Sequence, residues 1–163
     1  MGKVILVCGK IGSGKTTYAH KLAAELGAVI FSHDEIILGL FGASLYENDR
    51  ERFHQYAGWV EAYVKRKSGE AAKAGATVIC ANGFWSRAER DALRKYYAAM
   101  GVACALHYID TPEEQRREYI KKRNNDIRNG SLGYIITDEN DINHFFEAPE
   151  DDEIDDGEKP CHK

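Results

Sequence analysis

Apolar residues in this chain fall into short unbroken runs, separated by stretches in which they recur every three or four positions. Val4-Ile5-Leu6-Val7-Cys8, Gly27-Ala28-Val29-Ile30-Phe31, Ala76 to Ala81 and Val102 to Ile109 are the runs. A run without polar alternation, bounded by turn residues, predicts a strand buried on both faces. The stretches between them predict helices. Thr16 to Leu26 is followed by Gly27 in a C-cap position. Ser32 with Glu35, Ser44 with Glu47 and Ser86 with Glu89 each have capping-box spacing. The first opens a short helix. The second opens a long one to about Lys73, with Phe53, Tyr56, Ala57, Val60, Tyr63 and Val64 as its apolar stripe. His54 beside that stripe reads as a surface histidine. The third opens a helix from Arg87 to about Met100, carrying Leu93, Tyr96 and Tyr97 on one face. Thr111-Pro112-Glu113-Glu114 opens a last helix with Thr111 as N-cap and Pro112 at the first helical position.

Strands that alternate with helices predict a three-layer α/β fold with a mostly parallel sheet covered on both faces. Residues 134 to 143 read as a connection with a short helix starting near Thr137, and Phe145 to Pro149 as an apolar anchor. The remainder, 150–163, is expected to be a flexible acidic tail on a single domain of residues 1–149.

Charge changes this picture locally. The formal net charge is −4, yet from Glu147 onward there are eight acidic residues and two lysines, leaving 18 acidic against 20 basic residues before it. The body is therefore slightly positive, which suits a phosphate-handling site but does not outline a nucleic-acid groove. No apolar run approaches the roughly 18 residues of a membrane span. Cys8, Cys80, Cys104 and Cys161 show no metal-ligand spacing, and the first three lie in strand-like runs. They read as reduced thiols of a cytoplasmic protein.

The chemistry concentrates between the first strand and first helix. Gly9-Lys10-Ile11-Gly12-Ser13-Gly14-Lys15-Thr16 satisfies G-x-x-x-x-G-K-[ST], the P-loop pattern, in the strand–loop–helix context that pattern requires. Gly9, Gly12 and Gly14 let the backbone aim its N–H groups at a phosphate, and the helix N-terminus adds its positive dipole end. Lys15 is expected to reach the β- and γ-phosphates, Thr16 to ligate Mg²⁺, and the whole of Gly9 to Thr17 to hold ATP.

Asp34 falls in the first turn of the second helix, at the carboxyl end of the second strand. Open α/β sheets place their ligands there. Its carboxylate is expected to accept a proton from an attacking hydroxyl, the alternative being a favourable charge at a helix N-terminus. The loop Asn82 to Arg90, with Asn82, Phe84, Trp85, Arg87 and Arg90, reads as a substrate wall or as aromatic packing against the core. Arg116, Arg117, Lys121, Lys122, Arg123 and Arg128 run along the last helix. Arg123 and Arg128, where helix gives way to polar chain, are the candidates for stabilising charge on a transferring group.

With these motifs in this order, the chain resembles the P-loop small kinases of the AAA_33 group, relatives of the kinase domain of polynucleotide kinase, chloramphenicol phosphotransferase and zeta-type toxins. The resemblance rests on Gly9 to Thr16, Ser32 to Glu35, Gly83 to Asp91, Thr111 to Glu114 with Arg123-Asn124, and Phe146 to Pro149. It implies a nucleoside-kinase-like fold and transfer of the ATP γ-phosphoryl group to a hydroxyl, with Asp34 matching the family's base. The acceptor it implies is a hydroxyl of a small molecule or a polynucleotide end, with no residue code that chooses between them. Ala81 stands where relatives commonly carry an acidic residue, Tyr119 where they often carry arginine, and no apolar run supplies the fifth strand such kinases usually have. A nucleotide-binding regulatory protein with little transfer activity is the alternative. A switch GTPase is disfavoured because the chain has no N-K-x-D motif.

Overall fold

The computed structural model of the chain describes residues 1–137 and 143–154. Its centre is a four-stranded parallel sheet of β1 (Lys3–Cys8), β2 (Val29–Ser32), β3 (Thr77–Ala81) and β4 (Ala103–Tyr108), in the order β2-β3-β1-β4. Val4 of β1 is in register with Val78 on one side and Cys104 on the other. β1 is thus the inner strand from whose carboxyl end the glycine loop emerges.

Because successive side chains point to opposite faces, the apolar run of β1 feeds two cores at once. Val4, Leu6 and Cys8 join Val78, Cys80, Leu93, Tyr97 and Leu106 on one face. Ile5 and Val7 join Ala19, Leu22, Ile79 and Ile109 on the other. Helix α1 (Lys15–Leu26) covers the second face, and α2 (His33–Phe41), α4 (Arg50–Lys73) and α5 (Arg87–Ala99) cover the first. The sheet is buried on both sides, as an all-parallel sheet must be.

Three helix starts differ from the sequence pattern. Ser44 does not cap a long helix: α3 (Ser44–Asn48) is a single short turn-and-a-half, and Asp49 starts α4 by accepting a hydrogen bond from the Arg52 N–H at 3.0 Å. Asp49 is as good a cap as Ser44 and sits closer to the continuous apolar stripe. Thr111 does not cap α6 (Glu113–Arg128); Pro112 takes the flanking position, and the Thr111 hydroxyl is drawn to the glycine loop instead. Ser86 does cap α5, but the Glu89 carboxylate accepts from the Trp85 N–H at 2.8 Å rather than from Ser86.

The segment from 150 is not wholly a loose tail. Residues Asp151–Glu153 form a 3-10 turn, and Glu153 is buried against Arg90. Composition hid this because the burying partner is a cation rather than an apolar surface. In the apolar anchor only Phe146 packs, stacked 5.9 Å from Tyr108, while Phe145 is exposed. The short helix expected near Thr137 and the remainder of the tail, Cys161 included, lie outside the described residues.

Candidate active site

The glycine loop is shaped by close approach. Gly12 and Gly14 adopt φ of 75° and 88°, and Gly14 occupies the N-cap of α1. A Cβ on Gly12 would lie 2.6 Å from Ile120 Cγ1 and 3.1 Å from the Arg116 carbonyl, so α6 packs directly on the loop. Three further groups brace it from outside. The Thr111 hydroxyl donates to the Ser13 carbonyl at 2.8 Å, Arg116 Nη1 donates to the Ile11 carbonyl at 3.3 Å, and Asn143 Oδ1 accepts from the Ile11 N–H at 3.2 Å. Sequence reasoning missed Thr111 and Asn143 in this role, since both reach the loop across more than ninety residues.

Lys15 lies over this loop, its ammonium donating to the carbonyls of Gly9 at 2.9 Å and Lys10 at 2.8 Å. Burial pulls its pKa down to about 8; the negative charge of Asp34 is the largest influence opposing that, and Arg123 and Arg116 add to the depression. The ammonium thus meets both burial and the two guanidinium charges. An anion placed there relieves this. Ser13 Oγ, fully buried, has no hydrogen-bond partner. A buried ammonium held only by loop carbonyls, an orphaned hydroxyl and a glycine cradle together fit a polyphosphate. Lys10 and Ile11 flank the cradle half-exposed, and Thr16 and Thr17 are exposed on the first turn of α1. Among the described residues no cluster of three metal-ligating side chains forms.

Asp34 is the second residue of α2 and is exposed. Its neighbours free it: Ser32 Oγ accepts from the Glu35 N–H, and the Glu35 carboxylate pairs with His20 at 3.0 Å. Capping and surface pairing are thus taken up by other residues, and the Asp34 carboxylate faces the field of Lys15. His33 beside it is buried with neither ring nitrogen partnered. Burial holds it below its ordinary pKa, hence neutral.

The loop after β3 is packing rather than a wall of exposed cations. Phe84 is buried at φ 47°, its ring edge-on to His33. A non-glycine residue in this region carries backbone strain. Trp85 packs edge-on to Phe146 at 5.9 Å. Arg90 is fully buried and donates to the Phe84 and Glu147 carbonyls and to Glu153, while Arg87 pairs with Glu150 and Asp152. Each arginine is spent on structure.

Of the two lid candidates, Arg123 is half-buried and close enough to act on Lys15, whereas Arg128 is exposed in the last turn of α6. Arg116 acts on Lys15 as well. Tyr119, in the position of the relatives' arginine, has its ring 3.9 Å from where a Gly14 Cβ would stand. Ala81 ends β3 buried and apolar. Asn124, next to Arg123, clamps the following segment with two hydrogen bonds to Ile136, at 2.7 and 2.9 Å.

A family model described as an AAA domain matches residues 4–131 of this chain. No curated protein matches it by sequence. Among solved structures, the fold is similar to an unliganded sugar kinase from Janibacter sp. HTCC2649, with TM-score 0.61 at 20% identity over 94% of this chain and 83% of that one. It is also similar to shikimate kinase from Acinetobacter baumannii in complex with shikimate, with TM-score 0.51 at 19% identity over 88% of each chain. A chain of the Pnkp1/Rnl/Hen1 RNA repair complex gives TM-score 0.60 at 22% identity, over 75% of this chain but 37% of that one. These likenesses show the fold: a nucleoside-kinase-like P-loop α/β sandwich.

Proposed function

The chain belongs to the AAA_33 family of AAA domains, and from that premise we propose that it is an ATP-dependent phosphotransferase. It moves the γ-phosphoryl group of ATP to a hydroxyl of a small molecule or a nucleic-acid end. The observation that carries this reading is the glycine cradle with the Lys15 ammonium held on its Gly9 and Lys10 carbonyls, where the charges of Asp34 and Arg123 both act on it. ATP lays its phosphates along Gly9 to Thr16, and Lys15 exchanges its two loop carbonyls for phosphate oxygens. The Thr16 hydroxyl would hold Mg²⁺, which would supply charge neutralisation for the phosphates. Asp34 takes the proton of the acceptor hydroxyl as its oxygen bonds to the γ-phosphorus. The bond from that phosphorus to the β–γ bridging oxygen breaks, and ADP leaves. Arg123 offsets charge on the transferring group, with Arg128 as a second donor if α6 shifts toward the site.

The surrounding chain supports one functional unit, residues 1–149 with the turn at 151–153 docked onto it. Two thiols, Cys8 and Cys80, are buried with their pKa values pushed up to about 12 by that burial. Inert, unpaired thiols favour a reducing compartment, and the cytoplasm suits them. Among the described residues no helix is long and apolar enough to cross a membrane.

A second reading has its own support. Apolar Ala81 at the end of β3 and Tyr119 against the loop replace groups that would help transfer, which favours a nucleotide-binding regulatory protein. γ-Labelled ATP with Mg²⁺ and a pooled panel of shikimate, sugars, nucleosides and 5′-hydroxyl oligonucleotides separates them. Label on any acceptor supports the kinase; ATP binding with no label on any member turns the balance to the regulatory reading.

A further inference from the structure

Asn143, beyond α6, reaches back to the glycine loop. Its Oδ1 accepts from the Ile11 N–H at 3.2 Å, across 132 residues. Because an N–H can only donate, this contact fixes which way the amide lies: its oxygen faces Ile11 and its nitrogen is the other half. That Nδ2 is buried and has no hydrogen-bond partner. A buried amide donor normally finds one. Nδ2 shares a carbon with Oδ1, so it too stands beside the loop. The side chain is held there from both directions. The Asn143 carbonyl accepts from the Phe146 N–H at 3.1 Å, and Phe146 stacks on Tyr108 and meets Trp85 edge-on, each at 5.9 Å. The next residue, Glu147, donates its N–H to the Trp85 carbonyl at 2.8 Å. On the loop side, Arg116 holds the Ile11 carbonyl at 3.3 Å. The Ile11 N–H and the Lys10 carbonyl belong to one peptide group, and that carbonyl accepts from the Lys15 ammonium at 2.8 Å. Asn143 and Lys15 thus grip the same peptide unit.

Resting on the reading of this loop as a nucleotide site, we propose that Asn143 Nδ2 donates to a phosphate oxygen of the bound nucleoside triphosphate. The segment after α6 is then part of the nucleotide site. The chemistry of the place selects the ligand. What is left over is a donor, so its partner is an acceptor, and it flanks the peptide on which the lysine that reaches the β- and γ-phosphates rests. An amide suits this position because it braces Ile11 with its oxygen while carrying no charge. A carboxylate would brace the loop equally well and repel the anion.

Two substitutions separate bracing from donation. Asn143→Asp keeps an oxygen for the Ile11 N–H and loses the donor, whereas Asn143→Ala loses both. Calorimetric titration with AMPPNP and Mg²⁺ reads the contact without an acceptor. The expected result is an affinity lower by about tenfold or more in Asn143→Asp as well as in Asn143→Ala, the loss of a hydrogen bond to a charged group. NMR of the nitrogen-labelled unaltered protein reads the donor itself: the Asn143 side-chain amide protons should move downfield as AMPPNP is added. Asn143→Asp binding AMPPNP like the unaltered protein assigns Asn143 a bracing role alone and overturns the proposal. Amide protons that stay in place at saturating AMPPNP overturn it too, and leave the nucleotide reading standing. If the unaltered protein binds no AMPPNP, the nucleotide reading itself fails, and the proposal with it.

Discussion

Arg90 and Glu153, sixty-three residues apart, close a two-pronged ion pair in which neither side chain sees solvent, with bonds of 2.7 and 3.0 Å. The third Arg90 nitrogen binds the Phe84 and Glu147 carbonyls. Arg94 adds a hydrogen bond to the Glu153 carbonyl. One buried guanidinium thus ties the strained loop after β3, whose Phe84 packs edge-on to His33, to the chain beyond residue 146.

Removing one partner leaves the other charge buried and alone. Glu153→Ala, or a chain stopped at residue 149, should therefore lose about 3–5 kcal/mol of stability by urea unfolding. pH gives the sign independently. Burial by itself would raise the Glu153 carboxyl, but Arg90 carries it below its ordinary 4.5. Its stabilisation is complete above about 4.5 and is lost as pH falls through the lower folded value. Glu153→Gln should flatten the acid limb of the stability curve.

Lys15 titrates in the opposite sense. Its folded pKa of about 8 lies below the ordinary 10.5, so between those values the unfolded chain binds the extra proton. Stability should rise with pH across that window, and Lys15→Met should remove the rise. ATP binding needs the charged ammonium, so affinity should fall above pH 8 toward tenfold per unit. Calorimetry from pH 7 to 9.5 in buffers of matched ionic strength checks both; a flat profile for the unaltered protein would remove Lys15 from the phosphate contact.

Gly12 and Gly27 separate backbone strain from loop geometry. Both have positive φ, 75° and 61°, but a Cβ on Gly12 strikes Ile120 while one on Gly27 meets nothing within 4 Å. Each change to Ala should cost about 1–2 kcal/mol of stability, roughly 2–4 °C or more in Tm. Only Gly12→Ala should also abolish ATP binding.

Much of this was legible in the sequence because it is local. The four apolar runs, the glycine pattern, the Ser32 and Ser86 caps and the Gly27 stop each depend on neighbours a few residues away, and all appear as expected. What escaped depends on distance. Thr111 looks like a cap, yet its hydroxyl finds a loop carbonyl ninety-eight residues away. Arg90 looks like a surface cation of a substrate wall until Glu153 buries it. Tyr134 reads as a connection residue, and only the meeting of α3, α4 and α6 around it exposes its unpaired hydroxyl. Spacing carries no signal for such meetings.

The central claim is that Asp34 and Lys15 serve one transfer reaction, and it is tested most directly by substituting Asp34. The measurement is ATP affinity and γ-phosphoryl transfer to the acceptor panel, for the unaltered protein beside Asp34→Asn. The account predicts ATP binding within about twofold and transfer lower by about 10² or more, the usual range for a lost general base. Transfer by Asp34→Asn at the unaltered rate would contradict it.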